Sequence, residues 1–189
     1  SVYPYDFRLE NVVAVQGLHQ LIERIRLACG DPRLQVDVLA HSNGGLLARY
    51  YARYGTASLP DEGPLRPTHA GAPAIRRLLL VGTPNLGTIQ PVLSHLRGEE
   101  VGLGHIPQEA MASCPGATQM MPHPAIPWLV DLAGREQRVD LYDIATWRER
   151  RWSIFDPRVA ERTIAQHGGG SAGRRYLEVL REFHALQLR

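Results

Sequence analysis

VDVLAHSNGGLLARYYARYG, residues 36–55, runs from an apolar, β-branched segment through a short turn into a helical pattern. Leu34–Ala40 has the composition of a buried strand, and Gly45–Tyr54 predicts a helix that Gly55 ends. Ser42 stands at the sharpest point of the turn between them. The stretch therefore predicts a strand, a tight turn and a helix, with a serine at the apex.

The neighbouring segments extend this unit into an alternation of strands and helices. SVYPYDFR (residues 1–8) has the aromatic and β-branched content of a strand end, and Leu78–Val81 is an uninterrupted apolar run typical of a strand covered on both faces. Gly30, followed by Asp31-Pro32, ends the first helix. The apolar residues of that helix recur at helical spacing: Leu18, Leu21, Ile22 and Ile25. This order predicts an α/β fold with a parallel sheet and right-handed crossovers.

The pattern Ala-x-Ser-x-Gly around Ser42 is that of a nucleophile elbow. In such an elbow the apex residue takes a positive φ, and small residues two positions away, here Ala40 and Gly44, let strand and helix pass closely. The backbone N–H of Asn43 then points to where an oxyanion forms. The alternative is that Ser42 is simply the helix N-cap. The preceding strand and the Gly44-Gly45 pair favour the nucleophile.

Two further segments lie where a ligand would meet this turn. Thr83, Pro84 and Asn85 follow a central strand at its C-terminal end, where α/β sheets place their ligands, and are predicted to contact substrate. A plain turn is the equal alternative. His41 is predicted to orient or pack against the turn or to contact substrate. It is not expected to be the general base, because a side chain adjacent to the apex points elsewhere.

The second half of the chain has a different character. Residues 88–156 are rich in Pro, Gly, His and Trp without a clear strand, which predicts loops with short helices. Amphipathic helices are expected near Arg158–Gln166 and Arg174–Leu186, separated by a glycine-rich loop or hinge at 168–173. His167-Gly168-Gly169-Gly170 spells an esterase oxyanion motif, but it follows the serine and ends a helix. It is interpreted as a helix cap.

Composition excludes several classes of function. The chain of 189 residues carries 21 basic and 19 acidic side chains, and the basic ones are all arginine, scattered rather than gathered on one helix face or loop, so nucleic-acid binding is not expected. Cys29 and Cys114 are too few for a disulfide framework, and no Cys/His spacing resembles a zinc site. No run of about 18 apolar residues predicts a membrane span. The sequence leaves the compartment open.

Several segments together resemble a known family. The resemblance covers most of the chain up to Pro157, and the joint presence of its motifs is more specific than the serine motif alone. The segments are YPYDFR, AHSNGGLLARYY, VGTPNLG, ASCPGATQMMP (Ala112 to Pro122) and LYDIATWRE (Leu141 to Glu149). They are similar to the lecithin:cholesterol acyltransferase-like branch of the α/β-hydrolases.

The resemblance implies an α/β-hydrolase-type parallel sheet, present in part, with a nucleophile elbow and a lid rich in loops and helices. Residues 1–88 are then expected to form the partial core and residues 89–189 the lid or cap-like region. It implies acyl transfer from an ester, usually a lipid, through an acyl-serine to water or an alcohol. Such chemistry requires no metal or organic cofactor.

The remaining triad members are not evident in the sequence. In this superfamily an Asp or Glu and then a His follow the serine on loops after later strands, and no convincing strand follows Val81. Asp140 with His167 is a weak candidate pair. We therefore expect an internal piece of a longer protein that lacks the acid and the histidine. The alternative function is a catalytically silent hydrolase-fold module that binds lipid or a protein partner.

Overall fold

The computed structural model describes residues 1–60 and 63–188, which form two compact units, Ser1–Asn85 and Leu86–Arg189. The first unit contains α1 (Asn11–Cys29), β1 (Val36–His41), α2 (Asn43–Tyr54), a 3₁₀ turn (Ala72–Ala74) and β2 (Ile75–Val81). The second contains α3 (Gln90–Arg97), β3 (Glu99–Val101), β4 (Gly104–Ile106), α4 (Gln108–Met111), α5 (Pro115–Thr118), α6 (Ile144–Glu149), a 3₁₀ turn (Ser153–Phe155), α7 (Pro157–Gln166) and α8 (Gly170–Gln187).

The sheet of the first unit consists of β1 and β2, which pair in parallel as predicted. The register places Ala40 beside Leu80 and His41 beside Val81, so both strands end at the same edge. The outward side chains are largely uncovered, with Leu39 74% exposed, Leu79 53% and Val81 50%. One face of the sheet thus presents apolar side chains to solvent.

The N-terminal stretch is not a strand, and that prediction is wrong. Residues 1–9 form no ladder; they lie along α1 instead. The Tyr3 hydroxyl donates to the carbonyl of Ala14 at 2.6 Å, and the Tyr3 ring stacks on Tyr5. The aromatic residues that suggested a strand therefore serve to pack this segment against a helix.

The helices of the first unit follow the sequence pattern closely. Gly30 ends α1 with φ 65°, and its N–H donates to the carbonyls of Arg26 and Leu27, as predicted from the glycine and the proline that follows. The buried core lies between the two helices and the start of β2, with tight packing around Val15, Ile22, Leu47, Tyr51 and Ala74. This core fixes α2, and with it the turn that precedes α2.

The second unit contains a hairpin where no strand was expected. β3 and β4 pair antiparallel, with Val101 opposite Gly104 across the turn at Gly102 and Leu103. Each strand has three residues and little β-branched content. Such short strands leave no alternating pattern that a sequence can reveal.

The two predicted C-terminal helices are confirmed as α7 and α8, but the glycine-rich stretch is not a hinge. α8 begins at Gly170, so most of the stretch is helical. A Cβ at Gly173 would collide with the carbonyl of Ile164, so the absence of a side chain there lets the two helices approach. Behind this contact, Ala160, Leu177 and Leu180 are buried.

Two histidines lie at the centre of the second unit. His95 on α3 and His184 on α8 are fully buried, and both contact Trp147, with ring centroids 5.6 and 4.8 Å from it. His95 Nδ1 lies 2.7 Å from the Pro91 carbonyl, whereas His95 Nε2 and both nitrogens of His184 have no hydrogen-bond partner among the described residues. Burial lowers the pKa of His95 to about 4. Burial, and then the neighbouring His95, lower the pKa of His184 to about 3.

Candidate site at the β1–α2 turn

Ser42 has a backbone conformation that residues other than glycine rarely adopt. It lies between the last residue of β1 and the first of α2 with φ 53° and ψ −129°. Its N–H donates to the carbonyl of Val81 at 2.9 Å, which ties the apex to the end of β2. Its side chain makes no capping hydrogen bond with α2, so the N-cap interpretation lacks the contact that defines it. Such a conformation costs about 1–3 kcal/mol and is maintained by its surroundings.

The close approach that permits this turn occurs one residue later than predicted. A Cβ on Gly44 would meet nothing within 4 Å, whereas a Cβ on Gly45 would collide with the side chain of Thr83. Thr83 follows β2, so Gly45 is where the end of the sheet presses on the first turn of α2. The sequence holds both glycines but does not show which one is crowded.

Asn43 connects the turn to the start of α1. Its side chain is 6% exposed, and its Nδ2 donates to Asn11 Oδ1 at 3.0 Å, while its own Oδ1 has no partner among the described residues. As the first residue of α2 it belongs to the helix end whose N–H groups have no intrahelical acceptor. Asn11 was not a predicted site residue, because nothing in a sequence signals a contact across 32 positions.

The predicted substrate-contact residues lie around the same edge of the sheet. His41 is exposed at the end of β1, and Thr83 has a buried hydroxyl without a partner among the described residues. The Asn85 N–H donates to the Thr83 carbonyl in a tight turn, and the Asn85 side chain accepts from Arg49 on α2. Arg49 was missed, although its place two helical turns after Ser42 could have indicated it. Pro84 is half-buried between Thr83 and Asn85.

A cavity of about 730 Å³ adjoins this turn. His41 and Gly44, on either side of the apex, contribute to its wall together with the strand β1. The apolar face of α1 forms the opposite wall through Leu18, Leu21, Ile22 and Ile25. The cavity is therefore lined mainly by aliphatic side chains and is large enough for an acyl chain.

Asp140 and His167, the candidate acid and histidine of a triad, are engaged in local contacts. Asp140 accepts from the N–H of Tyr142, and His167 stacks on Tyr176 with centroids 3.6 Å apart while its Nδ1 lies 2.9 Å from the Thr163 carbonyl. No hydrogen bond joins Asp140 to His167 in the described part of the chain. The glycines after His167 end α7, with the Gly169 N–H donating to Ile164, so the cap interpretation is confirmed.

Within residues 1–60 and 63–188, no three His, Cys, Asp or Glu side chains come together in a way that could hold a metal ion. In those same ranges no helix combines the length and apolarity that a bilayer crossing requires. Cys29 is exposed, and Cys114 is buried with its Sγ donating to the Ala110 carbonyl at 3.2 Å.

Comparisons with known proteins identify one family by sequence and one similar fold by structure. The family model for lecithin:cholesterol acyltransferase matches residues 1–137. A chain in the crystal structure of the Tle4-Tli4 complex is similar with a TM-score of 0.54 and 17% identity, over 96% of this chain and 40% of its own. This chain thus spans 40% of the length of that one. No curated protein matches the sequence. Together with the parallel sheet, these likenesses indicate an α/β-hydrolase-like fold.

Proposed function

The chain belongs to the lecithin:cholesterol acyltransferase family, and from that premise we propose that it is a serine acyl hydrolase or O-acyltransferase for lipid-like esters. Ser42 is the proposed nucleophile, and the backbone N–H of Asn43 is the proposed oxyanion donor. His41, Thr83, Pro84 and Asn85 are proposed to contact the substrate. The family match supports lipid-ester chemistry in general, and the roles of these residues are our inference.

One observation carries the proposal: the left-handed backbone of Ser42 at the strand-to-helix turn. This conformation turns the side chain away from the capping position and leaves its hydroxyl without a bond to the helix. Ser42 lies at the end of α2 where the first N–H groups have no intrahelical acceptor and where the helix dipole is positive. A hydroxyl beside a backbone N–H donor of this kind is an arrangement that acyl transfer uses.

The reaction then proceeds in two steps. The Ser42 oxygen attacks the ester carbonyl while its proton passes to a base, and the negative charge that develops on the carbonyl oxygen is stabilised by the Asn43 N–H. The alcohol leaves with a proton, and the acyl group remains on Ser42. Water gives hydrolysis and a second alcohol gives transfer, so both products arise from one intermediate.

The cavity beside the turn supports a lipid-like acyl group. It is lined by His41 and Gly44 of the turn and by the aliphatic face of α1. An extended hydrocarbon chain there replaces water on apolar surface, at about 25 cal/mol for each Å² covered. A small polar acyl group lacks this gain.

Labelling with a fluorophosphonate probe, with intact mass as the readout, tests the nucleophile. Wild type is expected to gain one probe adduct, Ser42→Ala to gain none, and Ser171→Ala, which removes an exposed serine of α8, to react like wild type. Circular dichroism of both variants establishes that they remain folded. Equal labelling of Ser42→Ala would refute the assignment.

A second candidate function is a catalytically silent module that binds lipid in the same cavity. It is favoured by the local contacts of His167 and Asp140, each of which is engaged with residues of its own segment. Absence of labelling combined with saturable binding of a fluorescent fatty acid, lost in Leu21→Asp, would support this function. Labelling at Ser42 would count against it.

A further inference from the structure

Four arginines come together on the second unit, although the sequence suggested a scattered distribution. Arg148, Arg150 and Arg151 occupy the end of α6 and the residues after it, and all three are exposed. Arg181 approaches from α8. None of the four forms an ion pair with a described carboxylate, in contrast to Arg135, Arg158 and Arg162 of the same unit, each of which is paired.

Aromatic rings hold three of these guanidinium groups in place. Arg150 lies 5.3 Å from the ring centroid of Trp152, and Arg148 and Arg181 lie 5.8 and 5.0 Å from that of Phe155. A guanidinium over a ring face keeps its N–H donors directed outward in its own plane. Arg181 uses two of these groups on the Ile154 carbonyl, whereas the guanidinium groups of Arg148 and Arg150 make no hydrogen bond with a described residue.

The charges on this surface are only partly balanced. Glu149 lies within the arginine segment, and Glu178 acts on Arg181 from one turn away on α8. Burial first, and then the charge of Arg148, lower the pKa of Arg181, which means that the cations repel each other. An external anion relieves this repulsion.

We propose that this basic aromatic surface, consisting of Arg148, Arg150, Arg151 and Arg181 with the rings of Trp152 and Phe155, binds the face of an anionic phospholipid bilayer. The donors are spread along a short exposed segment, residues 148–151, and one position of α8. Mobile phosphodiester headgroups can rearrange to meet such donors, and the negative surface potential of an anionic leaflet attracts basic segments. Arginine also pairs with phosphate oxygens through two N–H groups at once. The surface is independent of Ser42 and would bring the protein to its lipid.

Vesicle binding of the full chain tests the proposal. Wild type is expected to sediment with vesicles of phosphatidylcholine and phosphatidylglycerol, but not with phosphatidylcholine alone, and to be released by added salt. Arg148→Gln/Arg150→Gln should weaken binding about 25-fold, because each basic side chain near an anionic surface is worth about a fivefold change in affinity. The matched control, Arg174→Gln/Arg175→Gln on α8, removes the same charge and should change binding less than about twofold.

Three outcomes would overturn the proposal. Equal losses in both double variants would mean that net charge alone drives binding. Binding to polyglutamate but not to anionic vesicles would identify an acidic protein segment as the partner. Binding to neither would show that this surface has no anionic partner. Arg148→Lys/Arg150→Lys keeps the charge and should retain most of the binding, which guards against a folding defect in the Gln variant. Ser42→Ala should bind vesicles like wild type, so a failure of the proposed enzyme activity and a failure of this surface are distinguishable.

Discussion

The buried histidine pair makes the second unit sensitive to acid. The pKa of His95 falls to about 4 and that of His184 to about 3 in the folded chain, against about 6.5 when unfolded. As the pH falls, both histidines take up protons in the unfolded chain before they do so in the folded chain. The stability of the fold with both rings neutral is therefore fully present above about pH 6.5 and is lost below it. At about pH 5 each histidine lowers the free energy of unfolding by about 2 kcal/mol, and the pair lowers it by about 4 kcal/mol. The free energy of unfolding of a typical domain is only about 5–15 kcal/mol in total.

His184→Leu tests this reasoning. The substitution removes two buried nitrogens that have no partner among the described residues, so stability at about pH 7 should hold or rise. The loss between about pH 7 and pH 5 should shrink by about 2 kcal/mol. Urea unfolding followed by tryptophan fluorescence at both pH values gives the two free energies. His123→Gln, at an exposed position, is the control. The same acid loss in wild type and His184→Leu would refute the assignment of that loss to this ring.

Three further predictions concern the β1–α2 turn. Gly45→Ala should lower the free energy of unfolding by about 1–3 kcal/mol through its collision with Thr83, whereas Gly44→Ala should be neutral or stabilising by up to about 1 kcal/mol; equal effects in urea titrations would refute the crowding at Gly45. Ser42→Gly should raise the melting temperature relative to Ser42→Ala, because glycine accepts φ 53° without strain, and a lower value would contradict the strain. Asn43→Ala should cost about 0.5–1.5 kcal/mol for its lost hydrogen bond, and no change in urea stability would show that this bond is dispensable.

Much of the first unit could be predicted because its signals are local. Periodic apolar residues marked α1, Gly30 and Gly55 marked the helix ends, and an apolar run marked β2. The parallel pairing followed from the order of these elements. Ser42 could be placed at the apex because a strand pattern and a helix pattern meet there.

The predictions that were wrong or missing depend on contacts distant in sequence. In the sequence Tyr3 resembles a strand residue, whereas in the structure its hydroxyl donates to the Ala14 carbonyl. Only the position of Thr83 distinguishes Gly45 from Gly44. The hydrogen bond from Asn43 to Asn11 likewise joins positions with no common pattern. Local sequence specifies secondary structure and turns, whereas tertiary packing decides which residue of a pair is crowded or bonded.

From the uncovered row of Leu39, Leu79 and Val81 we expect the molecule to associate with itself as its concentration rises. Water-exposed apolar side chains on a sheet favour contact with a similar surface. As molecules crowd together, such contacts compete with any lipid that approaches the same unit. A dilution series, with Leu39→Thr as reference, should therefore report self-association directly. Detergent below its micelle concentration should shift that equilibrium towards single molecules.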